Sequence, residues 1–396
     1  MSKKEKIDFL LNRGVVEIIE KKHLEQQLKN SSKLRVKLGI DPTAPFLHLG
    51  NAAALRKLRQ FQELGHQAVF IIGDFTAMIG DPAGRKTARQ PLSENEIKRN
   101  IKDYLRQAGK IIDLKKTKVY YNSAWFKKRG VEAIMELLRA GSIQQVLRRE
   151  DFQKRIEAGR DITLLEILYP LMQGYDSVKV KADIEIGATE QKFNLLMGRK
   201  IQRYFKTPEQ DVMTFKILIG TDGIKKMSKT SGNVIKIDEA PETQFAQIMN
   251  LKDELMPEYF ELLTDIPEKE INYINGLLKK PTEKLKEAKS RLAFEIIKLI
   301  HGREKAELAR RSFKLVFQDK KMPIELPEFK INKSFNLKEL LVMAGLADSG
   351  SEAQRLIEQR AVSLDEKVLK DWRDEIKLKS PAVLKVGKHK FLKLMP

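Results

Sequence analysis

The chain has 396 residues, enough for two or three domains, and carries 75 Lys plus Arg against 54 Asp plus Glu, a formal net charge of +21. That excess favours a polyanionic partner through counterion release, the plainer alternative being a lysine-rich surface that serves only solubility or heat resistance. The absence of cysteine excludes disulfides, thiolate catalysis and Cys-ligated zinc, and the five scattered histidines form no HExxH spacing, so no protein-bound metal is expected. No run approaches membrane-spanning length and the start, MSKKEKIDFLLNRG, has only a short apolar patch, so a soluble, cytoplasmic protein is expected.

Residues 3 to about 30 read as an amphipathic helix with Ile7, Leu10, Leu11, Val15, Ile18 and Ile19 on one side. Leu34, Val36, Leu38 and Ile40 then alternate with Arg35, Lys37 and Gly39, the period of a strand, which Asp41, Pro42, Thr43 and Pro45 break. His48, Leu49, Gly50 and Asn51 open a helix whose apolar positions Ala54, Leu55, Leu58, Phe61 and Leu64 keep helical spacing up to Gly65. A second strand follows over 68–72. Strand, helix and parallel strand make a βαβ unit, so the expected architecture is α/β, a doubly wound Rossmann-type parallel sheet with ligands at the carboxyl ends of its strands. The turn at His48 offers backbone N–H groups and a positive helix end to a nucleotide phosphate; equally, His48 and Asn51 read as plain caps.

The stretch GDPAGRKT (80–87) imitates a P-loop but has three residues between its glycines instead of four, with Arg85 before Lys86, and the reading is rejected. It remains a turn that presents Asp81 inward and Arg85, Lys86 and Arg89 outward. Ser93 and Glu96 have capping-box spacing at the head of a helical segment over 94–112, followed by a short strand over 119–122 and helical pattern over 131–147. In DITLLEILYPLMQGYDS, Tyr169, Gln173 and Asp176 stand at i, i+4 and i+7 and share one helical face. Leu165 and Met172 border them, so this phenol, amide and carboxylate are expected to line a pocket, with Pro170 kinking or restarting the helix. After a strand over 182–186, Thr189 is expected to cap a helix starting at Glu190, either as a plain cap or as a second anion or hydroxyl site.

KMSKT (226–230) lies in the loop TDGIKKMSKTSGN after the apolar run 215–219, and by itself is a solvated basic loop. Beyond 233 the sequence turns helical and charged over 242–250, 256–263, 268–279 and 281–316, then reaches a segment with Pro323 and Pro327. The last part reads as two short helices joined through 345–350, strand-like pieces at 362–364 and 367–369, and a close in which Lys385, Lys388, His389, Lys390 and Lys393 interleave with apolar residues.

HLGN and KMSKT, in that order and about 180 residues apart, resemble the paired HIGH and KMSKS signatures of class I aminoacyl-tRNA synthetases. With GIDPTAP, GDFTAMIGDPAG and YPLMQGYD, the chain resembles the bacterial tyrosyl-tRNA synthetase family over essentially its entire length, tryptophanyl enzymes being the nearest relatives. The resemblance implies a catalytic domain over 1–232 with a connective insertion at about 125–160, an all-α anticodon-side domain over 233–318, a linker over 319–335, and a small α+β RNA-binding module like a ribosomal protein over 336–396. It implies ATP-dependent attachment of tyrosine to the 3′ end of tRNA(Tyr) through a tyrosyl-adenylate, by a homodimer, with Mg²⁺ carried by the nucleotide.

Carried over by position, Asp81, Tyr169 and Gln173 hold the substrate ammonium and Asp176 accepts from the phenol, while Lys37, standing where many members have a tyrosine, donates to the phenol oxygen and pairs with Asp176. Asp41, Thr43, His48, Gly50, Asn51, Ala188, Glu190 and Gln191 face ATP. Lys226, Lys229 and Thr230 close over the departing pyrophosphate. Arg85, Arg89, Arg355, Lys388 and Lys390 are assigned to tRNA. Asn51, Ala188 and Glu190 depart from the family's usual residues, which leaves room for a competing reading: an RNA-binding protein whose catalytic domain no longer activates amino acids.

Overall fold

The computed structural model describes every residue except 1, 31–32, 84–91, 279–282, 316–327, 332–333, 366, 379 and 388–389. The chain divides into two compact units, residues 1–302 and 303–396.

Among the described residues of the first unit, β1 (Val15–Ile19), β2 (Arg35–Ile40), β3 (Gln67–Ile72), β4 (Thr117–Tyr121), β5 (Ile184–Ala188) and β6 (Asp211–Phe215) form one sheet in the order β1-β6-β5-β2-β3-β4. Strands β2 to β6 pair in parallel, and β1 lies antiparallel on the edge of β6. This is the expected doubly wound α/β sheet with one antiparallel strand added. The chain lays β2, β3 and β4 outward and then returns to place β5 on the other side of β2. Crossovers therefore leave in opposite directions at the carboxyl ends of β2 and β5, the switch point where such sheets open a crevice.

The start of the chain differs from expectation. In place of one helix there are two, Lys3–Asn12 and Lys21–Lys29, with β1 between them. Val15, Val16, Ile18 and Ile19 are β-branched and pack well on a pleated surface, and the edge of β6 supplies the partner that periodicity alone does not reveal. The helix Leu49–Glu63 buries Leu49, Leu55, Leu58 and Phe61 and starts at the carboxyl end of β2. Pro170 sits inside one continuous helix, Leu164–Val180, and does not restart it. Only one main-chain bond is forfeited there, and packing against the helix Lys192–Tyr204 holds the rest.

The helices Pro241–Met249, Met256–Leu263, Glu268–Leu277 and Glu283–His301 belong to the same compact unit as the sheet, so the unit ends at Gly302, not near 232 where the composition changes. Two buried arginines tie them in. Arg13 donates to the carbonyls of Phe260 (3.0 Å) and Glu261 (2.8 Å), and Arg56 to those of Leu262 (3.2 Å) and Thr264 (2.5 Å). Cations thus meet the negative end of the helix Met256–Leu263.

In the second unit, Leu337, Leu340, Leu341, Ala353, Ile357, Leu384 and Leu394 form the core between the helices Leu337–Met343 and Gly350–Glu358 and a small sheet. Strand β7 (Glu328–Lys330) falls within the stretch expected to be a linker; it pairs in parallel with the last strand, Lys390–Met395. Arg355 is exposed on the second helix, 3.8 Å from Glu352. Arg85, Arg89 and Lys388 lie outside the described residues, as does the side chain of Lys390.

Candidate active site

The switch-point crevice holds a cavity of about 260 Å³. One end is built on the start of the helix Leu49–Glu63. The His48 N–H donates to Asn51 Oδ1 (3.1 Å), and the Gly50 N–H donates to His48 Nδ1 (3.2 Å). His48 and Asn51 are therefore caps and also wall the cavity, with Gly50, Asp41 and Thr43 beside them. Burial, with the charge of Lys229 nearby, pushes the His48 imidazole down to about 3, so it is neutral at physiological pH. With Nδ1 accepting from Gly50, the ring proton sits on Nε2, which makes His48 a neutral donor and not a cation.

The KMSKT loop lies over this end, with Met227 against Gly50. It is pinned from beneath by Asn233, whose Oδ1 accepts from the Ser228 N–H (2.9 Å) and whose Nδ2 donates to the Lys226 carbonyl (3.1 Å) and to Asp222 (2.9 Å). Lys226 Nζ reaches Glu190 Oε2 at 2.6 Å. Lys229 Nζ donates to the Tyr104 hydroxyl at 2.6 Å and lies 5.2 and 5.8 Å from the ring centroids of Tyr104 and Phe46. Thr230 follows in a short turn and also faces the cavity. Ala188 ends β5, and Glu190 and Gln191 form a 3-10 turn after it. The cap expected of Thr189 does not form: the α-helix begins three residues later at Lys192.

At the other end, the i, i+4, i+7 stripe faces inward. Tyr169 donates its hydroxyl proton to Asp41 Oδ2 (2.9 Å), which leaves the oxygen's lone pairs turned to the cavity, and burial, then Asp41, raises its pKa well above that of a free phenol. Asp41 Oδ1 accepts from Thr76 Oγ1 (2.8 Å), and a side chain at Gly73 would collide with both. Asn194 Nδ2 donates to Gln173 Oε1 (3.0 Å) and to Asp81 Oδ1 (3.1 Å), so two oxygens converge on one nitrogen position at the cavity wall. Asp176 accepts from Trp125 Nε1 (2.9 Å) and Asn122 Nδ2 (3.3 Å). Burial pushes its carboxyl up to about 7, against the pull of Lys37 and these two donors.

Lys37 is not paired with Asp176. Its ammonium donates to the Gln173 carbonyl (2.8 Å) and to Ser177 Oγ (2.8 Å) and is ion-paired with Glu185, whose Oε1 lies at 2.8 Å, in place of the Asp176 pairing expected from the sequence. The reason is register. Lys37 on β2 and Glu185 on β5 are direct partners in the parallel ladder, an adjacency that exists only because the chain returns across β2.

The family described as "tRNA synthetases class I (W and Y)" matches residues 29–318, and "S4 domain" matches residues 337–378. The tyrosine–tRNA ligase of Thermotoga maritima is 44% identical over 385 residues, covering 97% of this chain and 96% of the relative. That of Carboxydothermus hydrogenoformans is 45% identical over 397 residues, covering 98% and 97%. The chain belongs to the class I tyrosyl-tRNA synthetases. In solved structures the fold recurs in the Archaeoglobus fulgidus tyrosyl-tRNA synthetase complexed with L-tyrosine, with a TM-score of 0.62 at 20% identity over 78% of this chain and all of that one. It recurs also in the truncated Aspergillus nidulans mitochondrial enzyme, with a TM-score of 0.65 at 20% identity over 79% of this chain and 94% of the other.

As a tyrosyl-tRNA synthetase the chain uses ATP, and its second unit carries the S4 fold. Among the described residues no group of three or more His, Asp or Glu is placed to hold a metal ion. Sequence reasoning missed Asn194, Tyr104, Asn233 and the Asn122–Trp125 pair. Asn194 had a faint signal as a polar residue three positions after Gln191 on a helix start facing the sheet's carboxyl edge; Tyr104 had none, because only the tertiary fold brings it to Lys229.

Proposed function

We propose that the two ends of this cavity hold ATP and tyrosine side by side for adenylate formation. The chain is a tyrosine–tRNA ligase. Tyrosine's carboxylate oxygen attacks the α-phosphorus of ATP in line, the bond from phosphorus to the bridging oxygen breaks, and pyrophosphate leaves. A terminal ribose hydroxyl of tRNA(Tyr) then attacks the adenylate carbonyl and releases AMP. No side-chain nucleophile is required, so catalysis is positioning plus stabilisation of growing charge.

In this reading Asp81, Gln173 and Tyr169, which line the cavity, receive the ammonium through their side-chain oxygens, and Asp176 accepts from the phenol. Phosphate meets the amino end of the helix at Gly50 and Asn51, with His48 donating through Nε2. Lys226 and Lys229 follow the β- and γ-phosphates, each leaving its present partner, Glu190 or Tyr104. Glu190 and Gln191 take the ribose, Mg²⁺ travels on the phosphates, and residues 233–318 and 336–396 with Arg355 handle tRNA(Tyr) in the cytoplasm. Val131, Met135 and Leu138, at i, i+4 and i+7 of one helix, expose an apolar stripe, which supports a homodimer closed through this face.

The single observation that carries the reading is that one cavity has a helix amino end with two lysines at one side and a converging set of ammonium and phenol acceptors at the other. Pyrophosphate exchange into ATP, run across all the proteinogenic amino acids, tests it. Exchange with tyrosine alone is expected; exchange with tryptophan in its place refutes it.

A further inference from the structure

Glu185 collects four donors on one buried carboxylate. Oε1 takes the ammonium of Lys37 (2.8 Å) and Nε2 of Gln173 (3.0 Å), while Oε2 takes Ser177 Oγ (3.1 Å) and Nε2 of Gln210 (2.6 Å). It is 1% exposed, and Lys37 is 0% exposed. Gly198 is part of the arrangement, since a Cβ there would collide with Gln210 Nε2 and stand 3.2 Å from Glu185 Oε2. Two opposite charges held in the core beside a binding pocket are costly to desolvate, and an apolar pair of similar volume would do as well for stability alone.

Gln173 supplies the reason for the pair. An amide has one acceptor end and one donor end, and its two rotations differ only in which end faces the cavity. Because Glu185 Oε1 can only accept, it takes Gln173 Nε2 and leaves Gln173 Oε1 at the opposite end of the amide, where Asn194 Nδ2, beside Asp81 and oriented by Arg149, meets it. A substrate ammonium needs acceptors. Turned over, Gln173 would offer it an N–H₂ group.

We infer that Glu185, from behind the pocket wall, is a positioning residue for tyrosine: it fixes the rotation of the Gln173 amide so that its oxygen faces the ammonium, and Lys37 is the counter-charge that keeps this carboxylate in the core. The inference rests on the proposed placement of tyrosine and adds to it a residue and a division of labour. Lys37 acts through Glu185 and not on the phenol.

Three charge-neutral double variants, one that keeps an acceptor for Gln173 Nε2 and two that do not, isolate the claim. Lys37→Met/Glu185→Gln keeps an oxygen for Gln173 Nε2; Gln210 Oε1 has no partner among the described residues, so the Gln210 amide can turn over to meet the new N–H₂ with the loss only of its long bond to the Leu195 carbonyl (3.3 Å). Lys37→Met/Glu185→Leu removes the oxygen and leaves the Gln173 rotation to Asn194 Nδ2 alone, itself oriented by Arg149 on Asn194 Oδ1. Lys37→Met/Glu185→Met is a second acceptor-poor pair should the leucine not fold. In the exchange assay the acceptor-poor pairs are expected to raise KM for tyrosine about ten-fold or more, the scale of one lost charge-assisted acceptor, with KM for ATP unchanged. The glutamine pair is expected to stay within about three-fold of wild type by the same reasoning. Inhibition by 3-(4-hydroxyphenyl)propionate, tyrosine without its ammonium, should be the same in every variant.

Equal tyrosine KM in the glutamine and acceptor-poor pairs overturns the inference. So does weakened binding of the ammonium-free analogue, and so does failure of both acceptor-poor pairs to fold while the glutamine pair folds, since the role would then be structural. A Tyr169→Phe variant with unaltered tyrosine KM would instead sink the placement of tyrosine, and is read separately.

Discussion

Asp176 gives the sharpest prediction, because its ionised carboxyl accepts a phenol's hydrogen bond more strongly than the neutral acid and burial lifts its pKa to about 7. The groups facing it are Lys37 and Glu185 from the two central strands, of opposite sign, and the neutral donors Asn122 and Trp125. With a pKa of about 7, roughly 90% of the free enzyme carries the carboxylate at pH 8 and roughly 9% at pH 6. The apparent second-order capture of tyrosine, kcat/KM from pyrophosphate exchange, should therefore fall about ten-fold between pH 8 and pH 6, while kcat/KM for ATP at saturating tyrosine stays level. His48 does not confuse the profile, since its own transition lies near 3. The same group acts on stability with a definite sign. A carboxyl whose folded pKa is raised contributes stability that is complete below its unfolded value of about 3.8 and is lost as pH rises through about 7. About three pKa units correspond to roughly 4 kcal/mol at most. In Asp176→Asn the acid limb of kcat/KM for tyrosine should vanish. A wild-type profile that is flat from pH 6 to 8, or a limb that persists in Asp176→Asn, would refute the assignment.

Lys229→Ala should lower kcat for exchange about 10²–10³-fold with tyrosine KM unchanged, because it removes charge met only as pyrophosphate departs; single-turnover kinetics check this. Arg56→Met should cost about 3–4 kcal/mol in urea unfolding, since it leaves the carbonyls of Leu262 and Thr264 and the Asp265 carboxylate without their cation. Removing residues 303–396 should weaken tRNA charging yet spare exchange; the cut belongs after Gly302, because ending the chain at 335 would strand β7 without the strand it pairs with. Leu138→Asp together with Val131→Asp should convert a dimer to a monomer in sedimentation, and an unchanged mass would dissociate this apolar stripe from assembly.

Local order was largely legible. The alternation over 34–40, the break at Asp41 and Pro42, and the apolar spacing after His48 specify strand, turn and helix by short-range rules, and the structure gives β2 and the helix Leu49–Glu63. The spacing of Tyr169, Gln173 and Asp176 placed them on one face whatever the helix packed against. Sequence separation hid the rest. The run VVEII fits a helix face as well as a strand until the edge of β6 is there to pair with it. The partner of Lys37 depended on β5 returning beside β2, and once that register is set, Glu185 is closer and better hydrogen-bonded than Asp176. Tyr104 reaches Lys229 across 125 positions of chain, through a contact with no local signature.

What the chain alone determined, then, is which residue types occur at which period: a helix start able to meet phosphate, a polar stripe of fixed pitch, and a lysine loop. Those follow from backbone geometry over a few residues. What the tertiary structure decided is which charges neutralise one another and which end of an amide faces a ligand. Both depend on strand order and on the low dielectric of a packed interior, where every buried donor and acceptor must find its partner among residues distant in the chain.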